Sequence, residues 1–312
     1  MTAARRANVE DERACGWLLA YAPRRQIHVD TAELKRAWGE GCFWVLPAQQ
    51  HVWVEALSAF LVVDVERAPA SLSLPSRSFF RAFAMEGADA PEVVLQQLHD
   101  AFFQHALLEP GAHCLIAFST ERWFDRALES VGLVWSEKVL YLELDQLFRY
   151  HWERVQLAAG CTVQPASPGD RAALVQLDEE VFGPIWRWSS AQLSEAAGLL
   201  WLARCGGEIV GYFSLGWFGD TAFLARLAVK PSWQGQGIGR ALLVQGVQLA
   251  QQAGMRRMLL GTQASNLRAL QLYRRTGFRE TGQCSNMFVR HFWNETAPVV
   301  ARTPATPPAT SA

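Results

Sequence analysis

The sequence has no apolar run approaching ~18 residues, no cysteine pair in CxxC spacing, little charge and, from Thr221 to Arg279, no Asp or Glu at all. Each absence excludes something. Without a long apolar run no transmembrane helix is expected, and no membrane partner. Without CxxC there is neither a zinc ribbon nor a thioredoxin-type site, and no metal is expected. The six cysteines (Cys15, Cys42, Cys114, Cys161, Cys205 and Cys284) are scattered and read as small core residues. Only 19% of the 312 residues are charged and the net charge is -1, which does not suit a protein that coats nucleic acid. Arg5, Arg6, Glu10, Asp11 and Glu12 interrupt any signal-type apolar segment near the N-terminus, so the expected compartment is the cytoplasm.

What is present is core material. Half of the residues are hydrophobic, with 13 Trp and 17 Phe. The length is a prior for two domains. The charge is uneven: residues 1–156 hold 15 Lys+Arg and 21 Asp+Glu, and residues 157–312 hold 14 and 9. The last residues, Thr296 to Ala312, are Pro, Ala, Thr, Ser and Val with one Arg, a composition that cannot bury a core and reads as a disordered tail.

The order of elements is legible from about Cys161 to Phe292. Strands are expected over Cys161–Gln164, Leu200–Cys205, Ile209–Trp217, Ala222–Val229, Met258–Thr262 and near Cys284–Arg290. Helices are expected over Asp170–Phe182, near Ala191–Ala197, over Ile238–Ala253 and over Leu267–Thr276, the last ended by Gly277. The first half repeats part of this order at an offset of ~145 residues. Strands are expected over Arg77–Met85, Cys114–Phe118 and Val139–Leu144, and helices over Glu92–Leu107 and Arg122–Val131. The boundary falls near Tyr150–Gly160. The fold class is therefore mixed α/β, with a domain over 1–155, a second over 156–294 and a tail over 295–312.

Chemistry concentrates in the carboxylate-free stretch, which carries nine basic residues: Arg226, Lys230, Arg240, Arg256, Arg257, Arg268, Arg274, Arg275 and Arg279. This is a surface for a polyanion. Within it, Gln234-Gly235-Gln236-Gly237-Ile238-Gly239-Arg240 follows a strand and opens a long helix. Glycines there let the backbone approach an oxygen-rich group, and the N–H groups and dipole of the helix start favour an anion such as a diphosphate. A dinucleotide fingerprint is excluded, because its sixth position is Arg240 and the next carboxylate is Glu280. A Walker A loop is excluded because Gly-Lys-Ser/Thr is absent.

Leu227-Ala228-Val229-Lys230-Pro231 followed by this loop resembles the acyl-CoA motif, Q/R-x-x-G-x-G/A, of the GNAT acetyltransferase superfamily. Ala264-Ser265-Asn266, Leu272-Tyr273 and Gly277-Phe278 resemble its second motif. The resemblance covers about 161–292. It implies two GNAT-like domains, each a mixed, mostly antiparallel sheet flanked by helices. It also implies acetyl-CoA as acyl donor, with pantetheine lying between two splayed strands and pairing with Leu227 and Val229. The diphosphate would rest on Gln234 to Arg240. Asn266 would contact the cofactor arm, or serve only as a helix N-cap. Tyr273 matches the family's general acid, and a backbone N–H near Leu227 would polarise the thioester carbonyl.

Three points stay open at this level. Ribosomal-protein acetyltransferases resembling this chain carry a Glu where this sequence has Gly261, so the base must lie elsewhere. Asp178, Glu179, Glu180, Asp220, Glu280 or water could serve. Trp186 and Trp188, in a loop with Phe182, Ile185 and Ser189, either wall an acceptor pocket or fill the core. Arg226 either grips an acceptor carboxylate or faces solvent. The first half carries Glu86, Asp89 and Glu92 where the loop would be and has no matching tyrosine, so it is expected not to bind CoA. The leading expectation is an N-acetyltransferase acting on a small-molecule or peptide amine. The alternatives are a non-catalytic acyl-CoA sensor and an interaction protein with a relic fold. The acceptor and the oligomeric state are not legible.

Overall fold

The computed structural model describes residues 3–28, 31–48, 57–68, 74–105, 110–151, 155, 157, 159–188, 192–193 and 200–294. The expected tail, Ser189 and most of the helix expected near Ala191–Ala197 lie outside the described residues. The first half runs β1 (Arg5–Arg6), α1 (Glu12–Tyr21), β2 (Arg24–Ile27), α2 (Thr31–Gly39), β3 (Phe43–Pro47), β4 (Leu57–Glu66), β5 (Ser76–Met85), α3 (Pro91–His105), β6 (Gly111–Ser119), α4 (Arg122–Ser130) and β7 (Val134–Leu144). The second runs β8 (Cys161–Pro165), α5 (Arg171–Val181), β9 (Leu200–Cys205), β10 (Glu208–Phe218), β11 (Thr221–Val229), α6 (Ile238–Gln252), β12 (Arg257–Gln263), α7 (Leu267–Arg275) and β13 (Arg279–Asn294). Every strand and long helix expected from periodicity is present. Among the described residues no helix is long and apolar enough to cross a membrane.

All strands join one sheet, in the order β1-β3-β4-β5-β6-β13-β7-β12-β11-β10-β9-β8, with β2 added beside β5. The centre of this order switches between the two halves of the chain three times. β13, the last strand of the second half, lies between β6 and β7. β7, the last strand of the first half, lies between β13 and β12. Each half therefore lends a strand to the other. Phe288 of β13 is buried in the first half's core beside Phe83, Phe124 and Leu128. Leu142 and Leu144 of β7 are buried in the second half's core beside Leu242, Met258 and Phe278.

Both halves contain one parallel strand pair, and each pair stops short. β5 pairs with β6 over Ser76–Phe80 against His113–Ala117. An extra residue, Arg81, then interrupts the register of β5 against β4. β11 pairs with β12 only over Thr221–Leu224 against Arg257–Leu260, and Ala225 is the extra residue against β10. Past the bulge the strand bends away from its parallel partner. In the first half, β2 fills the resulting gap: Arg24, Arg25, Gln26 and Ile27 pair with Met85, Ala84, Phe83 and Ala82. The Gln26 side chain reaches across to accept from the Thr120 N–H at 3.1 Å. In the second half, among the described residues, no strand pairs with β11 on that side beyond Leu224.

One sequence expectation is corrected. Cys161 and Cys205 are not separate core residues but a disulfide. They stand directly opposite each other on β8 and β9. The pairing follows from strand register, which their separation of 44 residues does not reveal. Cys15, Cys42, Cys114 and Cys284 are free, and Cys15 and Cys114 are buried.

Because Phe288 belongs to the first half's core, Phe288→Ala removes a buried ring that the surroundings cannot replace. Urea denaturation is expected to show a loss of about 3–5 kcal/mol; a loss below ~1 kcal/mol would contradict the exchanged-strand packing.

Candidate active site

The glycine loop takes the form its sequence demands. A 3-10 turn, Pro231–Trp233, follows β11, and then Gly235 and Gly237 both adopt φ +83°, a left-handed conformation that other residues resist. Gly237 is the N-cap of α6 and offers no side chain to cap it. The first N–H groups of α6 are thus free of any side-chain acceptor, and nothing lies within 4 Å of where a Cβ would stand on Gly235 or Gly237. This is an open, electropositive cradle that fits a diphosphate. Gln234 is spent on structure: its Nε2 donates to the Val229 carbonyl at 2.9 Å, and its Oε1 accepts from Arg268. Gln236 donates to the Ser232 carbonyl. Ile238 is buried, Gly239 packs on Val229 and Leu272 across the gap, and Arg240 is exposed.

α7 stands on the other side of the same gap. Asn266 is its N-cap, with Oδ1 accepting from the Ala269 N–H at 3.1 Å. Glu137 of β7 accepts from the neighbouring Ser265 hydroxyl. Tyr273 is 7% exposed, and burial pushes its phenol up from the ordinary value, so it holds its proton. Gly277, at φ +95°, reverses the chain so that the Phe278 N–H reaches the Tyr273 carbonyl at 3.0 Å and the two rings meet.

The acceptor-side candidates form a different structure from the one the sequence offered. Asp178 is fully buried on α5. It accepts from Arg226 Nε at 2.9 Å, Arg226 Nη2 at 2.8 Å, the Trp188 N–H at 2.6 Å and the Tyr212 hydroxyl. Arg226 also donates to the Trp186 carbonyl at 2.5 Å and lies over the Phe182 ring, 3.6 Å from its centroid. Arg226 therefore neither faces solvent nor is free to grip an acceptor, and Asp178 is not a solvated base. Trp188 packs beside Arg226, 5.0 Å from its ring centroid. Trp186 packs against Phe118 of the first half.

The remaining carboxylates are scattered. Glu180 is exposed on α5 and Glu179 half-buried. Asp220 lies in the β10–β11 turn beside Arg256, at the closed end of the parallel pair. Glu280 pairs with Arg274.

Exchange of β7 supplies groups that the sequence did not reveal. Tyr141 lies over Gly261: a Cβ there would stand 3.3 Å from its ring. The space over Gly261 is therefore closed by a side chain from the first half. The Tyr141 hydroxyl is 2.8 Å from Ser285 Oγ. Glu143, two residues along the same face of β7, stands opposite Leu259 and is 3.5 Å from Arg257.

Residues 169–278 match the acetyltransferase (GNAT) family. An aminoglycoside N(6')-acetyltransferase from Stenotrophomonas maltophilia is 30% identical over 139 residues, which cover 40% of this chain and 90% of that protein. The chain belongs to the GNAT family of acyltransferases. Against solved structures, a GNAT acetyltransferase from Sphaerobacter thermophilus superposes with TM-score 0.66 at 19% identity, covering 94% of this chain and 96% of the other. A tandem GNAT protein from the clavulanic acid biosynthesis pathway gives 0.60 at 12% identity, covering 92% and 98%. These two establish the fold, including its tandem form. The chain spans about half the length of other curated relatives that it matches.

Asp178→Ala would leave the Arg226 guanidinium buried and unpaired. Thermal or urea unfolding is expected to show a loss of about 3–5 kcal/mol, and an unchanged stability would mean that the network is not structural.

Proposed function

We propose that this GNAT protein transfers an acetyl group from acetyl-CoA to a primary amine, by direct attack in a ternary complex, with one working cleft in the second half. The observation that carries the reading is the parallel pair β11/β12. It opens beyond Leu224 and runs directly into a glycine-capped helix start with no side-chain acceptor. An extended, amide-bearing chain that ends in a diphosphate suits that surface: strand-like groups along Leu227, Ala228 and Val229, phosphates at Gly235 to Arg240.

Acetyl-CoA supplies the acyl group and the thiol leaving group. The protein's own part is to orient the thioester, polarise its carbonyl and donate a proton to the departing sulfur. Backbone N–H groups past the Ala225 bulge, Leu227 among them, are released from strand pairing on one side and suit the carbonyl oxygen. Tyr273, held neutral by burial, suits the sulfur as general acid. Asn266 keeps its Nδ2 for the cofactor arm while its Oδ1 caps α7. The amine loses its proton to water or to a carboxylate on the sheet face bearing Tyr141, where Glu143 lies. Acetyltransferases among the relatives act on an aminoglycoside and on a ribosomal protein, as their names state; this chain's acceptor belongs to the same broad class of amines.

Tyr273→Phe is expected to lower kcat about 10²–10⁴-fold while stabilisation by CoA in thermal shift is unchanged. Gly237→Glu is expected to abolish that stabilisation. An unchanged rate in the first variant, or retained stabilisation in the second, would contradict the two assignments separately. No stabilisation of the native protein by millimolar-range CoA (a few times any ordinary Kd) would contradict the whole reading.

A further inference from the structure

Arg187 lies between Trp186 and Trp188, in the segment that covers Arg226. It is 5% exposed, yet its Nε and Nη2 have no hydrogen-bond partner. A buried guanidinium without a counter-charge is costly, and such a group calls for a missing anion or water. Among the described residues the nearby carboxylates are taken. Asp178 pairs with Arg226, and Glu66 pairs with Arg77 of β5, itself 1% exposed. Arg77 binds the same segment from the first half, donating to the Ile185 carbonyl at 2.9 Å and the Arg187 carbonyl at 2.6 Å, and its Nε is also unpartnered. Burial pushes the Arg77 pKa down, Glu66 opposes this, and the charges of Arg187 and Arg226 push it down further. Three buried guanidiniums thus stand within Coulombic reach of one another, with Glu66 and Asp178 as their paired carboxylates.

The open edge of Arg187 has a defined shape. Nε and Nη2 lie on one side of the guanidinium, the same edge with which Arg226 grips Asp178 through two parallel bonds. That edge matches the two coplanar oxygens of a carboxylate. Its position matters too: the Trp186 carbonyl on one side of Arg187 is bonded to Arg226, which immediately precedes Leu227 on the unpaired stretch of β11.

We propose that Arg187, backed by Arg77, binds a carboxylate carried by the acceptor, so that the acceptor is an amino acid or another amine bearing a carboxylate. This rests on the acetyltransferase reading above. Both open nitrogens are out of solvent contact, so binding requires the Arg187 side chain to turn outward.

The test uses the full chain and acceptor pairs that differ only in the carboxylate: phenylalanine against phenethylamine, tryptophan against tryptamine, lysine against 1,5-diaminopentane. Thiol release from acetyl-CoA is expected to give kcat/KM about ten- to a hundredfold higher for the carboxylate-bearing member of at least one pair. That ratio should collapse in Arg187→Met and recover only partly in Arg187→Lys, which restores the charge without the fork. A preference for the decarboxylated members, or a ratio unchanged in Arg187→Met, would overturn the proposal while leaving the acetyltransferase reading intact. A second measurement needs no turnover. N-acetylphenylalanine should raise the melting temperature of the native protein and its neutral amide should not, with the difference lost in Arg187→Met. Equal shifts for both compounds, or for both proteins, would overturn the proposal. Absence of thiol release with every amine would instead count against the acetyltransferase reading.

Discussion

Backbone hydrogen-bonding groups inside a sheet must find partners, and this constraint organises the molecule. Each half contains a parallel strand pair that a one-residue bulge, Arg81 or Ala225, forces apart. The groups released beyond the bulge meet different ends in the two halves. In the first half the chain's own β2 lies in the gap as a short antiparallel strand. In the second half the gap opens toward a helix start whose N–H groups lack a side-chain cap. The same opening is filled by a strand in one half and, among the described residues, left without one in the other.

The exchanged strands make the two halves one folding unit. β13 completes the first half's core and β7 the second's, so neither half has a full sheet alone. The exchange also places first-half side chains at the second half's cleft. Tyr141 closes the space over Gly261, Glu137 holds Ser265, and Arg77 ties down the Ile185–Arg187 segment from below while Arg226 holds it from the side. The first half thereby contributes side chains beside the second half's parallel pair and its covering segment.

From Cys161 onward the elements were legible: the turn residues Gly206, Gly207, Gly219, Gly254 and Gly277 and the three- and four-residue spacing in α5 set most boundaries within a residue or two. The elements before Arg77 were not read. The glycine loop was legible because left-handed backbone at Gly235 and Gly237 has few sequence solutions. What could not be read was long-range pairing. Nothing local in Val134–Leu144 says that its partner is β12, so Tyr141, Glu137 and Glu143 were invisible as site residues. The Cys161–Cys205 disulfide was hidden for the same reason. Asp178 and Arg226 were both singled out by the sequence, one among several candidate bases and the other as an acceptor ligand or a solvent-facing residue; only the packing of α5 against β11 reveals that they neutralise each other. Gln26, which seals the first cleft against Thr120, lies in a segment whose strand is too short to stand out.

β2 occupies the first cleft, and among the described residues no strand occupies the second. Isothermal titration calorimetry of the full chain with CoA tests this difference most directly. One CoA bound per chain, at a site lost in Gly237→Glu, is the predicted result; two bound per chain would contradict it.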